Sequence, residues 1–414
     1  MSEEKVLTKE IAEQFLADAK SVELSLFTTI EDAAAESLSK IGGGILFLDG
    51  LTELSDAAAG SLAKHKGVLY LTGLTELSDA AAGNLSRFKD SLFLDGLTEL
   101  SDGVAESLAR LQGTRLNLPG LTELPDGVAK SLAKFQGNLY LTGLTDLSDG
   151  VAESLAKFQA SLFLSGLTEL SDAAAEGLAK HQGELWLCGL TKLSDACAES
   201  LAKFQGSSLG LTGLTELSDA AAESLAKFQG SSVWLSGLTE LSDAAAESLA
   251  KFQGADLDLS GLTKLSDDAA KRLSDYAGKC LYLCGLKWLS EIAGEFFQNF
   301  GGEISDQKPK EWVENFASKL HILVISQPEM VLNSESKSGF EKIYEVEAEI
   351  NGKVIRFRQH QTEKFGEFYF YDAQSTKLET ISNLKNGQLI KECLDGDGGL
   401  DCLNMGDEWD ESFG

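Results

Sequence analysis

Residues 162–190 read LFLSGLTELSDAAAEGLAKHQGELWLCGL, one pattern written nearly twice. Leu162 and Leu164, then Leu185 and Leu187, alternate with other residues, the period-two mark of a short strand with one face buried. Between them a run opens on Ser171 and Asp172 and carries alanine and leucine at helical spacing. Phe163 and Trp186 hold the same place in the two strands, where alternation turns the side chain away from the leucines and toward water. Large rings at a water-facing place in a faithfully copied scaffold need a physical reason.

The pattern extends in both directions. Units begin near residues 21, 45, 68, 91, 114, 138, 161, 184, 207, 231, 255 and 279, a period of 23 or 24, and share the form xLxLxGLTxLSDxAAxxLAxxxG. The glycine after each strand, from Gly50 to Gly285, marks a sharp turn. Serine and aspartate, such as Ser194 and Asp195, start a helix of about ten residues by accepting its first free N–H groups and complementing its dipole. In the eighth unit Ala196, Ala198, Leu201 and Ala202 are expected to face the strand, with Glu199 and Lys203 in water and Gly206 in a left-handed cap. One unit is too small to bury its own apolar face. Stacked copies bury a continuous core, with a parallel sheet on one side and helices on the other.

On these residues the chain resembles the leucine-rich repeat proteins, of the short-period, alanine-rich bacterial kind. The resemblance covers residues 21–301, about twelve units, and implies an α/β solenoid, a horseshoe with a parallel concave sheet and convex helices. The family's asparagine after the strand is replaced by leucine, Leu190 in the eighth unit, so its hydrogen-bond ladder is expected to be absent, with the threonine of GLT taking part of its role. Residues 1–20 read as an amphipathic capping helix that covers the first turn through Ile11, Phe15 and Leu16. LSEIAGEFFQNF (289–300) reads as the closing turn, where Phe296, Phe297 and Phe300 replace small residues.

Residues 302–391 read as a small α+β domain with an antiparallel sheet. PKEWVENFASKL (309–320) has helical spacing through Trp312, Phe316 and Leu320, and KIYEVEAEINGKVIRFRQHQ (342–361) alternates on both sides of Asn351-Gly352, a hairpin signal. Residues 392–414 read as an acidic tail. Asp395, Asp397 and Asp401 resemble part of a calcium loop, but Gly406 stands where its glutamate is required.

Charge narrows the partners. With 35 basic and 65 acidic side chains the net charge is −30, which repels nucleic acid and anionic membrane surfaces and favours a protein with a basic surface. No run approaches the roughly 18 apolar residues that cross a bilayer, and the N-terminus lacks the apolar core of a signal peptide. The six cysteines are scattered, which suggests reduced thiols in a cytoplasmic setting. Cys280 and Cys284 have no companions for a zinc site, and no phosphate loop or nucleophile elbow occurs, so neither metal, cofactor nor catalytic residue is expected. His65 and His181 stand where most units have Phe and read as packed side chains.

The residue between the strand leucines is, unit by unit, Glu23, Phe47, Tyr70, Phe93, Asn117, Tyr140, Phe163, Trp186, Gly210, Trp234, Asp258 and Tyr282, so eight of twelve are aromatic. At about 4.8 Å per strand they form a column roughly 50 Å long, expected as two blocks of three rings followed by two isolated ones. The next outward position is small or polar, with Asp49 and Asp95 among its members. Rings on neighbouring strands also support one another, the purely structural alternative. The candidate partner-binding residues are Phe47, Tyr70, Phe93, Tyr140, Phe163, Trp186, Trp234, Tyr282, Asp49, Asp95 and Asp258. They suggest a non-catalytic protein-binding scaffold or adaptor. The alternatives are an inhibitor or immunity protein that blocks a basic enzyme or toxin, and carbohydrate binding on the ring column.

Overall fold

The computed structural model describes residues 5–317 except Trp288, and beyond them the backbone of the strands Ile322–Val324, Lys342–Ile350, Lys353–Gln361, Gly366–Tyr371, Thr380–Ser382 and Cys402–Asn404. The chain divides into two compact units, residues 1–262 with 272–285, and residues 263–271 with 286–414.

In the first unit eleven strands, from Ile45–Phe47 to Cys280–Tyr282, lie parallel and in chain order, the sheet of an open solenoid. Their register repeats without slip: Leu139 faces Leu162, Leu162 faces Leu185, and Leu185 faces Leu209. Both strand leucines of each coil are buried, Val233 taking the first place in one of them, and Leu190 is a buried apolar side chain as well.

The helices hold seven residues, as in Asp195–Leu201, shorter than the repeat suggests. The reason lies in the last turn, where Lys203 N donates to Ser200 O and Phe204 N to Leu201 O at 3.0 Å each, so the chain tightens to i→i+3 bonds and leaves the helix. Because the helix begins at Asp195, its third and fourth residues turn inward. Cys197 and Ala198 are buried with Leu201, and Ala196 is exposed, contrary to expectation.

Gly206 also departs from expectation: its backbone is not left-handed, a state that the described glycines adopt only at Gly43, Gly44 and Gly67. A Cβ there would lie 1.9 Å from the Gly183 carbonyl oxygen and 2.3 Å from Cζ of Phe204. The position needs glycine because one coil passes hard against the next.

A hydroxyl-to-carboxylate ladder joins successive coils at the helix starts. Ser194 Oγ accepts the Cys197 amide at 3.0 Å, which caps its own helix, and donates to Asp172 of the preceding coil at 2.9 Å. The same double use recurs at Ser78, Ser101 and Ser171, which donate to Asp56, Asp79 and Asp149 at 2.7, 2.9 and 3.1 Å. Ser218 and Ser242 donate to Asp195 and Asp219 at 2.5 Å. Pro125 holds the serine place in one coil and has no hydroxyl to give. Of the GLT threonines, Thr52 is exposed and its hydroxyl donates to the Thr28 carbonyl of the preceding coil at 3.3 Å.

Below the helix ends runs a buried spine of one residue per coil: His65, Phe88, Leu111, Phe135, Phe158, His181, Phe204, Phe228, Phe252 and Tyr276. From Phe158 to Tyr276 the rings stack face to face at centroid distances of 5.7 to 6.3 Å. Tyr276 closes the series, and its hydroxyl donates to the Gly254 carbonyl at 2.9 Å.

At the N-terminus the helix Lys9–Ala17 follows a two-residue strand, Val6–Leu7, that pairs in parallel with Thr29–Ile30. Leu7 and Ala12 are the buried side chains, whereas Leu16, expected to cover the first turn, is 42% exposed. The first coil has a 3-10 turn at Leu24–Leu26 in place of a strand, so Glu23 does not join the column.

In the second unit the helix Glu291–Gln298 starts on Ser290 and buries Phe297, which meets Trp312 of the helix Pro309–Ala317 edge-on at 5.6 Å. Four antiparallel strands follow in the order Ile322–Val324, Lys342–Ile350, Lys353–Gln361, Gly366–Tyr371, with Ile350 opposite Lys353. Leu320, the Asn351-Gly352 turn, and Asp395, Asp397, Asp401 and Gly406 of the tail lie outside the described residues.

Candidate functional site

With the strand leucines buried toward the helices, the residues between them emerge on the opposite face of the sheet. Phe47 at the first strand is 48% exposed, and Tyr70, Phe93, Tyr140, Phe163, Trp186, Trp234 and Tyr282 are half-buried. Phe47, Tyr70 and Phe93 stack at 4.9 and 4.1 Å, and Tyr140 lies on Phe163 at 3.9 Å, with planes within 4°. Phe163 meets Trp186 at 5.9 Å.

Trp234 and Tyr282 are not isolated. Trp186 reaches across the intervening strand to Trp234 at 6.0 Å, and Trp234 reaches Tyr282 at 5.9 Å. Gly210 makes the first crossing possible, since a Cβ there would stand 2.2 Å from the Trp186 ring. Asp258 is under the second crossing: it is only 6% exposed, and its carboxylate accepts the Ser260 amide at 2.9 Å. Of the eleven candidates it is the one withdrawn from water, because the rings of the strands on either side close over it. The eight rings form two runs, Phe47 to Phe93 and Tyr140 to Tyr282. Asn117 separates them and donates to Asp95 at 2.9 Å.

Carboxylates beside the column are held by neighbouring coils. Thr72 donates to Asp49 at 2.7 Å. Burial pushes the Asp95 carboxyl above its ordinary value, the Asn117 bond opposes this, and the charge of Asp49 adds to it. Further acidic groups lie one place before the first strand leucine, on the same face. Glu184 accepts from Trp186 Nε1 and from Ser161 Oγ, both at 3.2 Å, and Asp256 accepts from Ser232 at 3.0 Å. In that position too, Arg115 lies over the Tyr140 ring at 4.7 Å, a cation–π contact. Sequence reading stopped the alternation one residue short and so missed this third row; counting two back from each residue between the strand leucines finds it.

Among the described residues no group of three or more His, Cys, Asp or Glu side chains is placed to hold a metal ion, and no helix is long and apolar enough to cross a membrane. Cys188, Cys197, Cys280 and Cys284 are not in disulfides.

No family model matches the sequence, and no curated protein matches it. Among solved structures, the chain is similar to one from the Toll–Spatzle complex of Drosophila, with a TM-score of 0.45 and 15% identity over 72% of this chain and 40% of that one. It is also similar to one from the yeast Rad7–Elc1 complex, with a TM-score of 0.33 and 16% identity over 69% of this chain and 89% of that one. The chain thus spans under half the length of the Drosophila chain it matches.

Proposed function

We propose that the chain is a non-catalytic binding scaffold that takes a partner protein with a basic surface on the aromatic face of its sheet. The observation that carries this reading is the column itself: eight partly exposed rings in two stacked runs, with carboxylates fixed alongside. If each ring leaves about half of its roughly 200 Å² open, the stripe exceeds the few hundred Å² of apolar patch that monomers ordinarily expose. Aromatic anchors beside a polar rim are the usual make-up of a protein interface. A net charge of −30 favours a basic partner, drawn in at low salt and released at high salt.

Carbohydrate is the weaker reading. A sugar stacks on an open ring face, and here the ring faces are turned to each other, leaving mainly edges to the outside. Cysteines that are not in disulfides fit a reduced, cytoplasmic setting.

The test is the double variant Phe163→Ser, Trp186→Ser, checked for fold by circular dichroism. Partners captured by the wild type should be lost from the variant and weakened by salt in the wild type. Undiminished capture by the folded variant would overturn the reading.

A further inference from the structure

The spine contains a titratable ring tied directly to the surface column. His181 is fully buried between Phe158 at 5.9 Å and Phe204 at 6.0 Å. Its Nε2 lies 3.3 Å from the Glu184 carbonyl oxygen, while Nδ1 is buried with no hydrogen-bond partner. The same carbonyl accepts the Leu162 amide at 2.8 Å, a bond of the strand ladder. The carboxylate of the same residue accepts the Trp186 indole N–H at 3.2 Å. Glu184 therefore joins spine, sheet and ring column in one residue.

A neutral imidazole with its proton on Nε2 suits this place, since it donates to Glu184 and leaves only an unpaired acceptor. A second proton would put a charge into the core, where the carbonyls of Phe158 and Ala160 attract it but make no hydrogen bond to Nδ1 as the coil stands. Among the described residues no charged side chain is placed to compensate. The ring faces Phe158 and Phe204, and its edges meet the backbone of Phe158, Ala160 and Glu184. The Glu184 carboxylate turns outward to Ser161 and Trp186, and on the three coils concerned Glu153, Lys157, Glu176, Lys180, Glu199 and Lys203 are exposed. Burial holds the imidazole below its ordinary value, against the smaller pull of the carbonyls of Glu184, Phe158 and Ala160.

We infer that His181 is a proton-operated latch: taking up a proton opens the coil from Ser161 to Leu187 and frees Trp186 from the ring column. The effect on partner capture rests on the binding reading; the opening does not. The sign follows from the depressed value. The opened coil binds the proton more tightly than the closed one, so closure is fully stable above the free imidazole value of about 6.5. Below it, closure weakens by at most about tenfold per pH unit, until the pH passes the lower value of the closed state.

Phenylalanine is the natural replacement, because Phe204 holds the same slot one coil on and Gly183 stands two residues after His181 as Gly206 does after Phe204. His65 is the control. It is buried in the same spine, five coils away, with its value also lowered by burial but with the Asp90 charge favouring the proton.

The experiment is hydrogen exchange of the full chain between pH 7.5 and 5.5, corrected for intrinsic rates, read at the Leu162, Leu164 and Leu187 amides. In the wild type and in His65→Phe, protection should fall several-fold, by at most about tenfold, from pH 7.5 to 5.5, and in His181→Phe it should stay level. An equal fall in His181→Phe, or none in the wild type, would overturn the latch. Loss of protection with partner capture unchanged at pH 5.5 would support the latch and count against the binding reading.

Discussion

Two series of rings run the length of the same solenoid and obey different rules. In the spine, rings such as Phe158, Phe228 and Phe252 are fully buried and stand 5.7 to 6.3 Å apart. On the sheet face, rings on adjacent strands close to 3.9 to 4.9 Å, except Phe163 and Trp186, at 5.9 Å. The spine sits where the helices end and takes the wider spacing of packed coils; the surface rings ride on strands about 4.8 Å apart. A spine ring is covered on all sides by its own chain. A surface ring covers its faces with its neighbours and leaves its edge to whatever approaches. Rings in the first series lie inside the fold, and rings in the second keep an edge at its surface.

The sharpest way to break that division is one substitution made in both series. Phe228→Ala should cost about 3–5 kcal/mol, the transfer loss plus a cavity between Phe204 and Phe252, read from denaturant unfolding. Next comes Gly230→Ala, whose new methyl would meet Cζ of Phe228 at 2.1 Å and should cost about 1–3 kcal/mol by overpacking. Ser218→Ala removes a helix cap and a rung to Asp195 at once, for about 1–2 kcal/mol. Phe163→Ala, on the surface, should cost less than Phe228→Ala, about 1–3 kcal/mol, the worth of its two stacking contacts. If Phe163→Ala matched Phe228→Ala in cost, the surface series would be structural and the division false. The smallest effect is on charge alone. Burial raises the Tyr276 phenol well above its ordinary value, so ultraviolet titration of the folded protein should find it still protonated where exposed tyrosines ionise.

Much of this was legible in the residues. The repeat length, the paired leucines and the ring at each midpoint follow from periods of two and 23 or 24 that anyone can count. What was not legible depends on atoms one or two coils apart. Alternation sends Asp258 outward correctly, but its cover comes from Trp234 and Tyr282, 24 residues away on either side. Gly206 invites a backbone explanation, yet its cause is the Gly183 carbonyl of the coil before. Ser194 reads as a cap and is one; its second bond, to Asp172, is visible only once the coils are stacked. Ala196 and Cys197 exchanged roles because the helix phase is set by its starting residue, which periodicity places less firmly than its existence.

The missing hydroxyl at Pro125 reaches further than one lost bond. Leu111 interrupts the spine between Phe88 and Phe135, Asn117 interrupts the surface rings, and Pro125 interrupts the serine–aspartate rungs, all within fifteen residues of chain. Three repetitive features lapse together here, while the strand pairing runs on unbroken. A tensile load applied along the solenoid should therefore find its point of yield at these coils.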